Sequence, residues 1–520
     1  MPETTKKIAE GRERSLVLIT VDCLRADHCG FYGYARPTTP FLDRLASESI
    51  VVPTAVVAGA PTYYSLPAMM ASRMPLALGR DVVGLAPDEE TLATTLHRAG
   101  YATAAFSAGN PYISTRFGYN RGFEVFRDFL DFDAGATPGP NAANSPQNGH
   151  LRGTPNQWLK KSAEAVGLSH FYDELYFQYR ARIAAPAVGS MDDLRKYPSA
   201  DIVVESAESW LASISSRPFF LWIHLMDPHH PYYPPAAALR DLTGRDLAPA
   251  RVRYLNVFWN RSDLPVDRLQ KNKEAVVELY DAGIRWVDSQ IARLVGALQR
   301  SGRWDNCVFA LTADHGEEFL EHGRRYHAPV SLTEEIARVP LLFHVPGTQK
   351  AERHGPHLGD RTAQPSGAGL VFSHLHLAPT LAEILEVTPP PGFQGKSLWT
   401  RLQREATPDV RDSDPADSAI AECVHGCTNP LNEQTRLSPR LLCVREARYK
   451  LVIRLEPGVA EEIYDIISDP KEKSPLQGRA TAEIRRRLLL LAMEHINTTS
   501  AGDSARLKFL LRELRLKLQS

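Results

Sequence analysis

Four short stretches of this 520-residue chain gather residue types that do chemistry. In VDCLRADHCGFYGY, Asp22 closes an apolar run, and a carboxylate aimed out of a strand end suits a divalent metal. In AGAPTYYSLPAMMASRMP, Thr62 and Ser65 are hydroxyls near a helix start, where backbone N–H groups and the positive dipole end would face the charge of a nucleophile's anionic adduct. In FALTADHGEEFLEHGRRYH, Asp314 and His315 follow an apolar run directly and read as metal ligands, ahead of a glycine turn and an acidic helix. In FFLWIHLMDPHHPYYPP, the cluster Asp227–His230 also sits just past an apolar run. Singly, each has an ordinary reading: a helix cap for Asp22, Asp314 or Thr62, a satisfied buried histidine for His315. Together they converge only if the chain folds so that its strand ends meet.

The pattern of apolar runs supplies such a fold. Strands are expected at Leu16–Val21, Ala102–Ser107, Phe219–Leu225, Cys307–Thr312 and Pro340–Val345, alternating with helices at Thr39–Glu48, Thr91–Ala99, Ser199–Ser213, Asn272–Gln299 and Ala378–Leu385. That alternation predicts an α/β body, a mainly parallel sheet sandwiched by helices, with the active site beyond the carboxyl ends of the strands. From about Asp409 the pattern changes to short strands such as Leu441–Arg445 and Tyr449–Arg454 and then a helical tail. A catalytic domain over 1–408 and a smaller α+β domain with an antiparallel sheet over 409–520 are therefore expected. Residues 132–156 form an aperiodic Gly/Pro/Ala/Asn-rich insertion, followed by a helical stretch over 157–185.

Composition narrows the function classes. Sixty Lys plus Arg against 61 Asp plus Glu give a net charge of -1, which argues against a polyelectrolyte partner such as nucleic acid. With 43% hydrophobic and 23% charged residues the composition is that of a globular protein. No stretch reaches the roughly 18 uninterrupted apolar residues of a membrane span, and no leader pattern precedes Ser15, so the expectation is a cytoplasmic protein. The six cysteines are too sparse for a disulfide scaffold; Cys423, His425, Cys427 and Cys443 fit no common zinc module and read as buried thiols. The basic amphipathic segment 505–520 offers a face for packing on the body, for a second copy of the chain, or for a membrane surface.

The ordered set of motifs resembles the sulfatase-like family of the alkaline phosphatase superfamily. It runs from Ser15 to Leu476: VDCLRADHCGFYGY with TTPFLDRLA, the Thr62 loop, GYATAAF with RGFEVF, FFLWIHLMDPHHPYYPP, TADHGEEFLEHG, ARVPLLFHVPG, LHLAPTLAEILEV, and YKLV with EEIYDIISDPKEKSPL. The resemblance implies a large α/β domain carrying metal and nucleophile and a C-terminal domain with a four-stranded antiparallel sheet. It also exposes departures. Sulfatases use C-x-P-S-R, whose first residue becomes formylglycine; counting back from Ala71-Ser72, that slot is Thr62, Ser65 takes the serine position and Leu66 replaces the arginine. No formylglycine is expected on a threonine. The family's G-K-x-H segment reads FSAGNPYIS here, with Asn110 and no Lys or His, and the paired aspartates of the calcium site become Asp22-Cys23 and Asp314-His315.

What the resemblance then implies is one divalent ion held by Asp22, Thr62, Asp314 and His315, with Mn²⁺ or Zn²⁺ favoured over Ca²⁺ because an imidazole replaces a carboxylate. That set resembles threonine-nucleophile relatives such as lipoteichoic-acid synthases and phosphoethanolamine transferases. His229 matches the histidine that contacts substrate or protonates the leaving group, His327 the late basic residue that binds the transferred group, and Asn110 a donor to a non-bridging oxygen. Glu317, Glu318 and Glu321 read as a solvated acidic helix start. The expected function is hydrolysis of a small anionic ester, a phosphate mono- or diester, through a phosphothreonine on Thr62. The alternatives are a sulfuric-ester hydrolase, a transferase of a phosphoryl-linked headgroup, and a catalytically silent binding protein.

Overall fold

The computed structural model describes residues 13–131, 189–214, 217–348, 370–405, 418–455, 460–478 and 481–499, with isolated positions between 509 and 518. The insertion 132–156, the stretch 157–185 and the expected junction at 408/409 lie outside the described residues.

Among the described residues the strands are, in chain order, β1 (Ser15–Val21), β2 (Ile50–Val51), β3 (Thr54–Val56), β4 (Ala102–Ser107), β5 (Val125–Arg127), β6 (Phe219–Leu225), β7 (Cys307–Ala313), β8 (Glu318–Phe319), β9 (Arg325–Tyr326), β10 (Arg338–Val339), β11 (Leu341–His344), β12 (Val371–Ser373), β13 (Ser418–Val424), β14 (Arg440–Glu446), β15 (Tyr449–Leu455) and β16 (Ala460–Asp465). Seven form the central sheet, in the order β2-β11-β7-β1-β6-β4-β5. Strands β7, β1, β6, β4 and β5 run parallel, while β11 is antiparallel to both of its neighbours. Every residue of β1, β4, β6 and β7 is buried. This is why their apolar runs are continuous: a parallel sheet covered on both faces has no solvent side to demand alternation. The 35-residue helix Val266–Arg300 packs against helices Pro40–Ala46, Ala200–Ser213, Ala236–Thr243 and Pro249–Trp259.

Strand register levels the functional ends. Val21 is opposite both Leu225 and Ala313, and Ser107 is opposite His224, so β7, β1, β6 and β4 finish at one height. Helix Thr62–Ala71, all ten residues buried, enters from β3 through the loop 57–61.

The C-terminal unit is the expected antiparallel sheet, β13-β14-β15-β16, covered by helix Ala482–Thr499. Leu488, Leu489, Ala492 and Ile496 fill that interface, and Leu514 of the basic tail is buried in the same cluster. The sheet is fastened to the catalytic body beside the Thr62 loop, where the Glu422 amide donates to the Ala58 carbonyl at 2.9 Å. Among the described residues no helix is long and apolar enough to cross a membrane.

One expectation fails. No helix follows Gly316; β8 pairs with β9 as a hairpin, and Glu317 and Glu318 are buried, not solvated. The amides of Gly316 and Glu317 donate to the carbonyls of Ile336 and Glu335 at 2.9 and 3.0 Å, so those backbone donors are taken by a neighbouring segment. Glu318 is satisfied by Ser331, Thr333 and Arg324, and Glu321 pairs with Arg25 at 2.9 Å.

Candidate active site

The sequence-predicted groups leave several different elements and arrive at the same place. Asp22 follows β1, Asn110 lies three residues past β4, His229 four past β6, and Asp314 and His315 directly past β7. Thr62 is the first residue of its helix, after Pro61. Asp22, Thr62, Asn110, Asp314 and His315 are buried; His229 and His327 are partly exposed and form the mouth.

At the centre, Thr62 Oγ1 is 3.3 Å from His315 Nε2 and 3.4 Å from Asn110 Nδ2, which also donates to Asp22 Oδ2 at 2.9 Å. His315 Nε2 is 3.7 Å from Asp22 Oδ1 and 3.5 Å from Asp314 Oδ2. Its Nδ1 is 2.9 Å from the Gly316 carbonyl, which only accepts, so that nitrogen carries a proton and the ring is held with Nε2 facing Thr62 and the carboxylates. Ser65, the other candidate hydroxyl, is turned to Met69 Sδ at 3.6 Å. At the mouth, the His327 ring centroid is 4.5 Å from that of His315 and 5.0 Å from that of His229.

Charge is unevenly distributed over the two carboxyls. Burial pushes Asp22 up, but the His229 charge, the His224 hydrogen bond and His315 outweigh it and hold it well below the usual carboxylate range. At Asp314, burial and the Asp22 charge win over His315 and raise it. Burial depresses His315, yet Asp314 and Asp22 hold it above an ordinary histidine. Asp314 Oδ2 is buried with no hydrogen-bond partner. Such an orphan is costly unless something cationic meets it. The ligating atoms of Asp22, Asp314 and His315 lie within 4.8 Å of one another, all buried. Two carboxylates, an imidazole and an adjacent hydroxyl fit a divalent cation.

Sequence reasoning missed three contributors. His224 puts Nε2 3.4 Å from Asp22 Oδ2 and is held by Thr20 at 2.9 Å; its signal was a lone imidazole inside the buried run FFLWIHL. Cys23 adopts a left-handed backbone (φ 62°), with Sγ 3.1 Å from Asp22 Oδ1 and 3.3 Å from His327 Nδ1. Such strain is characteristic of functional sites. Glu317 lies 3.3 Å from His327 Nδ1, and burial raises its carboxyl to about 7. Cys423, Cys427 and Cys443 are buried free thiols in an apolar cluster with Ala60, Tyr63 and Tyr64, and no metal-ligand group among the described residues includes them. Their loop still borders the site, since the Tyr63 hydroxyl donates to the Cys427 carbonyl.

Comparison with known proteins gives this geometry a family. An arylsulfatase of Clostridium perfringens is 25% identical over 402 residues, 74% of this chain and 77% of its own. Human iduronate 2-sulfatase is 27% identical over 226 residues, 37% of this chain and 40% of its own. The phosphonate monoester hydrolase of Agrobacterium radiobacter superposes with a TM-score of 0.61 at 18% identity, covering 94% of this chain and 95% of that one, a likeness of fold. The sulfatase family model matches residues 14–387, which span the central sheet, Thr62 and the whole candidate site, and the chain therefore belongs to the sulfatase family.

Proposed function

We propose that this member of the family is a metal-dependent hydrolase of phosphate mono- or diesters with Thr62 as its nucleophile. One observation carries the reading: Thr62 Oγ1 sits at a helix N-terminus within 3.3 Å of His315 Nε2 and 3.4 Å of Asn110 Nδ2, beside Asp22 and Asp314. Asp22, Asp314, His315 and Thr62 would hold a divalent cation, which when bound would supply positive charge that favours the threonine alkoxide and offsets charge on the transferred group. The imidazole among the ligands favours Mn²⁺ or Zn²⁺ over Ca²⁺.

The remaining steps belong to side chains of this chain. Thr62 Oγ attacks phosphorus in line, forming the Oγ–P bond as the P–O bond to the alcohol breaks. Asn110 Nδ2 and the first N–H groups of the helix donate to non-bridging oxygens. His229 Nδ1 is 2.5 Å from the His230 carbonyl and so bears a proton, which leaves Nε2 to protonate the departing alcohol when the ring is charged. A water then attacks the phosphothreonine, losing its proton to the neutral His229 as the Oγ–P bond breaks, which returns Thr62 Oγ as the leaving group and releases the phosphate product. His327, at the mouth, binds the transferred group.

A second reading, sulfuric-ester hydrolysis by the same site, is favoured by the relatives, which are mostly sulfatases. Aryl phosphate, phosphodiester, phosphonate and sulfate substrates, assayed on chelated protein with Mn²⁺, Zn²⁺ or Ca²⁺ restored, separate the two. The proposal expects phosphate-ester turnover restored by Mn²⁺ or Zn²⁺. Sulfate turnover equal to phosphate turnover, or activity with Ca²⁺ alone, would contradict it.

A further inference from the structure

We propose that Arg195 and Tyr197 are positioning residues, which hold His229 against the departing alcohol without touching the ester themselves. The inference rests on the acid role given to His229 above. His229 sits on the turn that follows β6 and is partly exposed. Its own hydrogen bonds are local: the amide donates to the Met226 carbonyl at 2.9 Å, and Nδ1 faces the His230 carbonyl at 2.5 Å. Those bonds fix the ring relative to the turn, but nothing in them fixes the turn relative to Thr62. Proton transfer needs that second constraint, because a misplacement of about 1 Å costs on the order of 100-fold.

The segment 195–199 supplies it by gripping the turn at both ends. Upstream, Arg195 Nη1 donates to Asp227 Oδ1 at 2.9 Å, an ion pair with both side chains buried. Ser199 Oγ donates to the same oxygen at 3.4 Å and accepts from Trp286 Nε1 at 2.8 Å, which ties the pair to the long helix Val266–Arg300. Ser199 is the N-cap residue of helix Ala200–Ser213, yet its hydroxyl serves Asp227 and does not cap its own helix. Downstream, the buried Tyr197 donates its hydroxyl to the His229 carbonyl and lies 3.4 Å from the Pro231 carbonyl. Its ring stands edge-on to that of His229, at a centroid distance of 6.1 Å. On the helix side, a Cβ built on Gly283 would stand 2.8 Å from the Asp227 carbonyl oxygen, so helix backbone lies directly against the turn. Held by the helix and by both ends, the turn has one place to put His229, and Arg195 and Tyr197 reach the reaction only through it.

Leaving-group dependence tests this in the full chain. A phenyl phosphate needs its departing oxygen protonated, whereas para-nitrophenolate leaves largely unaided, and kcat/KM reports the steps up to that departure. His229→Gln is expected to lower kcat/KM for phenyl phosphate by on the order of 100-fold, the scale of a lost general acid, and for the para-nitrophenyl ester by much less. Tyr197→Phe, which removes one hydroxyl and no charge, is expected to show the same selectivity at about 10-fold, part of what misplacing the acid costs. Arg195→Met is expected to do the same more strongly, and Arg195→Lys, which keeps a cation beside Asp227, to restore part of the loss; melting temperatures separate this from unfolding. On the His229→Gln background, Tyr197→Phe and Arg195→Met should cost nothing further. Crystal structures of Tyr197→Phe and Arg195→Met are expected to show the His229 ring displaced. Equal losses for both esters in these two variants, losses that add to that of His229→Gln, or an unmoved ring in both crystals overturns the proposal. If His229→Gln itself fails to discriminate between the esters, the acid role of His229 falls, and the displacement in the crystals alone then decides whether Arg195 and Tyr197 position it.

Discussion

Thr62 is set apart from Ser65 by position alone. Both hydroxyls are buried in one helix, yet one meets His315 and Asn110 while the other turns to a methionine sulfur. Thr62→Ala is therefore expected to lower turnover by roughly 10⁴-fold or more, the scale of a nucleophile deletion, and Ser65→Ala to leave turnover within a few-fold. Steady-state kinetics on both variants checks this, and comparable rates for Thr62→Ala and wild type would move the nucleophile elsewhere. Legibility at this scale followed residue type. Asp22, Asp314 and His315 announced themselves by closing apolar runs, and the structure brings all seven sequence-predicted side chains to one place. His224 and Glu317 did not, because a histidine inside a strand and a glutamate in an acidic run have common bland readings until burial is known.

Gly316 shows how elements hold the ligands. A Cβ built there would stand 1.9 Å from the Glu335 carbonyl oxygen, because the backbone after His315 lies directly against helix Glu334–Ala337. Gly316→Ala is expected to push that segment away, costing at least about 2 kcal/mol by overpacking and weakening metal binding by displacing His315. Thermal unfolding and a metal titration read the two effects separately, and an alanine variant with native melting and affinity would refute the packing argument. Strands and long helices were legible because each carries a period or a continuous apolar run. The hairpin β8–β9 was not: EEFLEHG has the look of a helix, and what decides against it is hydrogen bonding to residues about twenty positions away.

At the scale of the whole molecule, the C-terminal sheet serves as a foundation for the site. Lys450, fully buried, meets Glu334 at 3.2 Å and Glu472 at 2.8 Å, and Arg445 binds Glu334 at 3.0 Å, so the helix that braces Gly316 is itself anchored by β14 and β15. Glu422 makes a second anchor, accepting from the Leu76 amide at 3.0 Å and from His495 at 2.9 Å, with Arg440 alongside. Burial pushes its carboxyl up, but Arg440 and His495 hold it at about 2 against an ordinary 4.5. A depressed carboxyl stabilises the fold above its unfolded value, and that stability disappears as pH falls from 4.5 towards 2. The contribution is on the order of 3 kcal/mol. Urea unfolding across that range should therefore fall more steeply for wild type than for Glu422→Gln, and parallel slopes would contradict the assignment. Transfer of the phosphoryl group to Thr62 is measured by acid-quenching the enzyme during turnover of an aryl phosphate and mapping the covalent adduct by peptide mass spectrometry. A phosphoryl group on Thr62 that is absent from Thr62→Ala is the expected result; an adduct on Ser65, or none on Thr62 while product accumulates, would show that Thr62 is not the nucleophile.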